Sequence, residues 1–244
     1  MKLFVALALS AAAQAVSEVE FAFMNYMSHF GKSFGTVEEY KFRLEQFTRS
    51  ESAIAEHNSA LGTTYKLGHN RMSDWTEAEY QRLLTYKPMP ESAKVYGATH
   101  SATPNSTVDW VAAGAVNAVK DQGQCGSCWA FSAAGTLESA HKIRAGTLFS
   151  FAEQQLVDCS AENFGCNGGW QYKAFEYYET SNAMAESSYT YTATDGTCAY
   201  NANNTTGKGT TGYTNVAPDN ADAMKAALAN GPLSVSIDAS HQAF

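Results

Sequence analysis

The segment Gln122-Gly123-Gln124-Cys125-Gly126-Ser127-Cys128-Trp129 holds the residue types best suited to chemistry in this chain. From Cys128 to Ala145 the pattern predicts a helix, with Ala130, Ala134, Leu137 and His141 sharing a face. Its one internal glycine, Gly135, is tolerable where another element approaches closely. Cys128 then falls in the first turn, where unpaired N–H groups and the positive end of the helix dipole favour a thiolate. A thiolate is a strong nucleophile toward an amide carbonyl. Gln122 can offer a side-chain NH2 to the oxyanion of the resulting tetrahedral intermediate, beside the backbone N–H of Cys128.

A Cys-x-x-Cys pair has two other chemistries to weigh. A thiol-disulfide oxidoreductase needs a strand directly before the motif and a parallel sheet around it, and residues 114–126 are too rich in glycine for that. A zinc site needs a second Cys or His pair at short spacing, which Cys159, Cys166 and Cys198 do not supply. Residues 1–15 read as a secretory signal peptide: Met1-Lys2 is a positive start, residues 3–9 are apolar, and a run of small residues ends in Ala-x-Ala. Export passes the chain through an oxidising compartment, so its five cysteines pair where geometry allows, and an odd count leaves at least one thiol free or bound to an outside partner.

The 244 residues, 45% apolar and 16% charged, exclude a disordered, collagen-like or coiled-coil chain. A net charge of −8 argues against a general grip on nucleic acid, and no apolar stretch reaches the roughly 20 residues of a membrane span. All five cysteines follow residue 124; residues 1–103 carry 10 basic against 11 acidic residues, and residues 104–244 carry 6 against 13. A near-neutral front half is thus joined to an acidic, cysteine-bearing rear half. Between them Pro88, Pro90, Gly97 and Pro104 mark an extended linker.

The front half reads as helical. Thr36 to about Asn58 lacks Gly and Pro, and Tyr40, Leu44, Phe47 and Ile54 recur at helical spacing, with Glu39 and Arg43 as an i,i+4 ion pair. Tyr65, Leu67 and His69 alternate like a short strand, and Thr76-x-x-Glu79 is a capping box opening another helix. In the rear half Ser150-x-x-Glu153 is a second capping box, and β-leaning stretches at 212–216 and 233–237 flank a short helix at 220–230.

Cys125-Gly126-Ser127-Cys128-Trp129 stands with Val108-Asp109-Trp110, Leu156-Val157-Asp158-Cys159, Gly165-Cys166-Asn167-Gly168-Gly169 and Gly231-Pro232-Leu233-Ser234-Val235. With these motifs the chain, from about Glu18 to Phe244, resembles the papain-like cysteine proteases and above all their cathepsin L-like branch. The resemblance implies an α+β papain-like fold of two domains, a helical left one and a β-rich right one incomplete here, preceded by a helical inhibitory propeptide. The expected division is a signal peptide at 1–15, the propeptide at 17–80, a linker or propeptide tail at 81–103, and the N-terminal part of the peptidase domain at 104–244. It further implies disulfides Cys125–Cys166 and Cys159–Cys198, which leave Cys128 as the nucleophile, with Gln122 in the oxyanion hole. Gly168 and Gly169 would line an extended substrate; Trp170, Gln171 and Ser236 would wall the pocket for the second residue before the cut.

The same resemblance assigns Glu39, Arg43, Phe47, Ile54 and Asn58, with Ser50 in place of a usual Asn, to the helical motif of the propeptide. Gly68, Asn70 and Asp74 belong to its second motif, with Met72 replacing an aromatic. In the family this segment runs backwards through the cleft and is cut away at acidic pH. The family also places its catalytic His about 130–150 residues beyond the cysteine, with Asn further on. His141 and His241 do not meet that spacing, so the 244-residue chain is expected to be inactive as written. The alternative reading is a pseudoenzyme or a propeptide-type protease inhibitor. Asn105, Asn203 and Asn204 head glycosylation sequons. Partners implied are protein and peptide substrates, the chain's own propeptide and cystatin-type inhibitors, acting on a monomer of the secretory pathway, lysosome, vacuole or medium. No metal or cofactor is expected.

Overall fold

The computed structural model describes residues 16–95 and 107–241 and divides into two compact units, the first ending at Glu77 and the second beginning at Ala78. The expected signal peptide, the end of the expected linker at 96–103 and the Asn105 sequon lie outside the described residues.

The first unit is built on α1 (Glu18–Phe30) and α2 (Val37–Ser59). Each opens on a hydroxyl cap: Ser17 Oγ accepts from the Glu20 N–H at 3.3 Å, and Thr36 Oγ1 from the Glu39 N–H at 3.1 Å. Gly31 ends α1 in the left-handed region at φ +64°, where a residue without Cβ is unstrained. The helices meet through aromatic rings: Phe23, Tyr26 and Phe47 are buried, and the Phe23 ring lies 5.2 Å from Phe47 and 5.3 Å from Tyr40. Ile54 is only half-buried.

The alternating stretch 65–69 does not form the expected strand. It runs extended against α2, where Asn58 Nδ2 donates to the Leu67 carbonyl and Asn58 Oδ1 accepts from the Leu67 N–H, both at 2.8 Å. One side-chain amide thereby makes the pair of bonds a neighbouring strand would make, so the segment needs no sheet. Beyond it Asn70 Oδ1 accepts from the Met72 N–H at 2.8 Å, and Ser50 Oγ donates to the Ser73 carbonyl at 2.8 Å. Asp74 is buried and accepts from the Tyr26 hydroxyl at 2.9 Å and from Lys32 Nζ. Arg43 donates to Glu39 at 2.7 Å and to the Asp74 carbonyl at 3.1 Å, joining both motifs. Burial, and next the Asp74 charge, push the Tyr26 phenol well above its usual range, so it remains a donor.

A short helix α3 (Glu77–Gln81) follows directly after Thr76. The second unit is organised around α4 (Cys128–Ala145), against which α5 (Glu153–Cys159) and α6 (Gln171–Thr180) pack. Its core joins Trp129, Ala130, Ala133, Ala134 and Leu137 of α4 to Leu156, Val157, Ala174 and Tyr178. The alanines present little bulk, which lets the helices approach closely. Gly135, by contrast, faces open space, so no close approach accounts for it. Two short strands, β1 (Asn182–Met184) and β2 (Thr205–Lys208), pair antiparallel with an irregularity after Ala183, the one sheet among the described residues.

Two further expectations are corrected. The Ser150-Glu153 capping box does not form: the N-cap of α5 is Ala152, without a side-chain cap, and Phe151 instead bridges Ala185. Glu153 has a stronger partner, the ammonium of Lys120 at 2.6 Å. Nor do 212–216 and 233–237 form strands, because neither finds a continuous backbone partner; α7 (Ala221–Leu228), capped by Asn220, stands between them.

Candidate active site

Cys128 is the first residue of α4, exposed and unbridged. The other four cysteines form the disulfides Cys125–Cys166 and Cys159–Cys198. The first ties the loop before α4 to the 163–170 turn, where the Gly126 N–H also donates to the Cys166 carbonyl at 2.9 Å. On the other side of the sulfur Trp129 is buried, its indole N–H donating to the Gly165 carbonyl at 3.1 Å. A cross-link, a backbone bond and a buried indole thus fix where α4 begins.

The N-cap, Ser127, makes no side-chain cap, and the Cys128 N–H has no acceptor among the described residues. Gln122 Nε2 donates to the Cys125 carbonyl at 2.8 Å. That bond uses one of the two N–H groups of the amide and folds the side chain into the loop preceding α4.

Gly168 sits at φ +101°, a conformation that favours glycine, and Gly169 forms a parallel bridge with Tyr86. A Cβ on Gly169 would fall 2.5 Å from Asn163 Oδ1 and 2.8 Å from the Trp129 ring. Asn163 Oδ1 accepts from the Trp170 N–H at 2.7 Å, setting the start of α6. Gln171 Nε2 donates to Ser236 Oγ at 2.8 Å, so these two residues, distant in sequence, meet on the wall of a cavity of about 990 Å3 that Tyr86 and Trp170 also line.

Residues 85–95, read above as linker, are tied to this surface. The Thr85 hydroxyl donates to the Gly126 carbonyl at 3.1 Å and lies 3.9 Å from Cys128 Sγ. Trp170 Nε1 donates to the Pro88 carbonyl at 3.0 Å, and Asn215 exchanges bonds with the Val95 backbone. Sequence reasoning missed Thr85, Asn163 and Tyr191. No spacing rule points to Thr85 or Tyr191, whose partners are 41 and 69 residues away.

Neither described histidine of this unit touches Cys128. His141 is thirteen residues along α4, about 20 Å of axis, and binds the Thr147 carbonyl at 2.8 Å. His241 is exposed and stands 3.6 Å from Asp238. Asn203 and Asn204 are exposed beside β2. Among the described residues no cluster of His, Cys, Asp and Glu is arranged to hold a metal ion, and no helix is long and apolar enough to cross a membrane.

Behind α4 lies a buried charge cluster. Lys120 Nζ donates to Glu138 at 2.7 Å and to Glu153 at 2.6 Å, both carboxylates being almost fully buried. Burial pushes the Glu153 carboxyl up to about 7 against the opposing pull of Lys120, with repulsion from Glu138 adding to the rise. The Tyr178 hydroxyl beside them is buried without a hydrogen-bond partner among the described residues.

Residues 104–244 match the family described as papain family cysteine protease, and residues 23–80 match the cathepsin propeptide inhibitor domain. Digestive cysteine proteinase 1 of Homarus americanus is 42% identical over 228 residues, covering 90% of this chain and 70% of that protein. Cathepsin L of Sarcophaga peregrina is 39% identical, covering 98% of this chain and 76% of the relative. Among solved structures, digestive procathepsin L 3 of Tenebrio molitor larval midgut superposes with a TM-score of 0.78 at 29% identity, covering 87% of this chain and 70% of that one. A free cysteine opening a buried helix, two bridges in the same unit and a helical pro-segment ahead of it agree with these matches: the chain belongs to the papain family of cysteine proteases, as a zymogen with a cathepsin-type propeptide inhibitor domain.

Proposed function

We propose that Cys128 is the nucleophile of an endopeptidase that cleaves peptide bonds through an acyl-enzyme. The observation that carries this is the unbridged, exposed sulfur of Cys128 at the first residue of α4 while its four companions are paired. The sulfur attacks the scissile carbonyl, and the carbonyl oxygen becomes an oxyanion received by the unused Gln122 N–H and the Cys128 backbone N–H. An extended peptide lies along Gly168 and Gly169, and the Trp170, Gln171 and Ser236 wall receives the second side chain before the cut. In the zymogen Thr85 stands beside the sulfur and Tyr86 bridges Gly169, so this segment has to leave before a peptide substrate enters.

Of the described histidines of this unit neither His141 nor His241 reaches Cys128, so neither takes the thiol proton. Thiol-directed probes report on Cys128 directly. We also propose export through the signal segment 1–15, glycosylation at Asn105 and at Asn203 or Asn204, a monomeric state, and inhibition by cystatin-type proteins. The division 17–80, 81–103 and 104–244 follows the same reading.

Labelling with a peptidyl vinyl sulfone, followed by peptide mapping, tests the proposal. Labelling is expected at Cys128 and absent in Cys128→Ser. A non-reducing map that finds Cys128 joined to Cys125 would overturn it.

A further inference from the structure

We propose that Tyr191 is a positioning residue for the oxyanion site, its hydroxyl tying the Gln122 backbone to the residue before the nucleophile; this rests on the roles proposed above for Cys128 and Gln122. The Tyr191 hydroxyl donates to the Gln122 carbonyl at 2.9 Å and meets Ser127 Oγ at 2.6 Å. A phenol has one proton to give, so the second bond is donated by Ser127. The two proposed oxyanion donors, the Gln122 amide and the Cys128 N–H, sit on residues that are six positions apart in chain order and glycine-punctuated between. One hydroxyl bonded to both ends of that loop sets the distance between them.

The same bond explains an oddity of α4. A serine at the N-cap ordinarily turns its hydroxyl onto the free N–H groups of the first turn. Ser127 is fully buried and makes no such bond, because its hydroxyl goes to Tyr191. The Cys128 and Trp129 N–H groups are thereby left for negative charge arising at Cys128, while the Ala130 N–H goes to the Ser127 carbonyl at 2.8 Å. Tyr191 is itself held: its N–H donates to Glu186 Oε1 at 2.8 Å, and its ring stands edge-on to Phe131 of α4 at 4.9 Å. Burial raises the phenol above its usual range, so the hydroxyl stays protonated as a donor.

The test compares two reactions of Cys128 in the full chain, where the thiol is exposed enough for small reagents. Iodoacetamide alkylation needs only the sulfur. Addition to N-acetylglycinal needs the oxyanion site as well: the sulfur bonds to the aldehyde carbon, the π pair moves to oxygen, and the thiol proton ends on that oxygen as a hemithioacetal hydroxyl. Hemithioacetal formation is followed by NMR with the aldehyde carbon labelled with carbon-13. Tyr191→Phe keeps the ring and removes the hydroxyl. It is expected to weaken aldehyde binding about tenfold, a single hydrogen-bond effect, and to leave the alkylation rate within twofold. Gln122→Ala is expected to match it, and the double variant to be no weaker than Gln122→Ala alone, since Tyr191 acts through Gln122. Aldehyde binding unchanged in Tyr191→Phe, a loss that adds fully to that of Gln122→Ala, or an equal loss in both reactions would each overturn the inference. A parent chain that is alkylated at Cys128 but forms no hemithioacetal would overturn the oxyanion reading and this inference with it.

Discussion

The two units of this chain bury charge in different settings. In the first, one carboxylate, Asp74, sits inside with Lys32 and Tyr26 as partners, and the rest of the fastening is aromatic packing and side-chain hydrogen bonds. In the second, Lys120 is shared by two buried carboxylates, and two disulfides close loops with sequence separations of 41 and 39, the first of which contains Cys128. Among the described residues the pro-segment is thus fastened by non-covalent contacts, and the unit carrying Cys128 by covalent cross-links as well. A zymogen needs that difference, because its inhibitor has to let go while its catalytic frame stays intact.

The sharpest way to break the comparison is Asp74→Ala. It strands the Lys32 ammonium and the Tyr26 hydroxyl in a buried place, and removing one partner of a buried pair costs about 3–5 kcal/mol. Hydrogen exchange with peptide resolution is expected to show α1 and α2 losing protection while α4 to α6 keep theirs. Equal loss in both units would mean that Asp74 does not act locally.

Replacing Cys125 and Cys166 together by serine is the counterpart in the second unit. Chain entropy assigns a loop of that length about 3–4 kcal/mol. The loss should appear in the denaturation midpoint of the second unit only, and Cys128 should become more accessible to bulky thiol reagents as the 122–127 loop loosens. A midpoint shift confined to α1 and α2 would contradict the assignment.

A smaller effect separates the units by pH. Glu153 titrates near 7 in the folded unit and near 4.5 when unfolded, so the folded state keeps a proton that the unfolded state has released. The stability this gives is whole below about pH 4.5 and is lost as pH rises through 7, on the order of 2–3 kcal/mol across the window. Glu153→Gln is expected to flatten the decline between pH 5 and 8 in urea titrations of the second unit. A slope unchanged by the substitution would place the proton elsewhere in the Lys120, Glu138 and Tyr178 cluster.

What could be read from the chain, and what could not, divides by range. α2 and α4 were legible because apolar spacing acts within a few residues, helped in α2 by the lack of Gly and Pro and by the Thr36 cap. The site itself was legible only as far as the Cys125 to Trp129 motif and its family likeness reach. Thr85 against the sulfur and Tyr191 across the loop depend on partners far along the chain, which no local period encodes. Strands failed for the same reason. β2 lies in a polar Asn-Thr stretch with a weak strand signal, and it is a strand because β1 pairs with it. The more β-like 212–216 lacks such a partner and stays irregular. Likewise alternation at 65–69 implied a sheet, and the amide of Asn58 satisfied the backbone instead.

The smallest effect concerns a residue whose identity the helix does not need. Gly135 lies in the middle of α4 with ordinary helical backbone, and a methyl group there meets nothing within 4 Å. Glycine in a helix interior loses more backbone entropy on folding than alanine, by about 0.5–1 kcal/mol. Gly135→Ala should therefore raise the stability of the second unit by that amount, read as a higher urea midpoint with an unchanged slope, and leave the first unit alone. Iodoacetamide should alkylate Cys128 at the parent rate, since the change is seven residues, about two turns, from the sulfur. A destabilised variant would show that the space beside Gly135 is occupied in solution, and that this face of α4 serves contact rather than solvent.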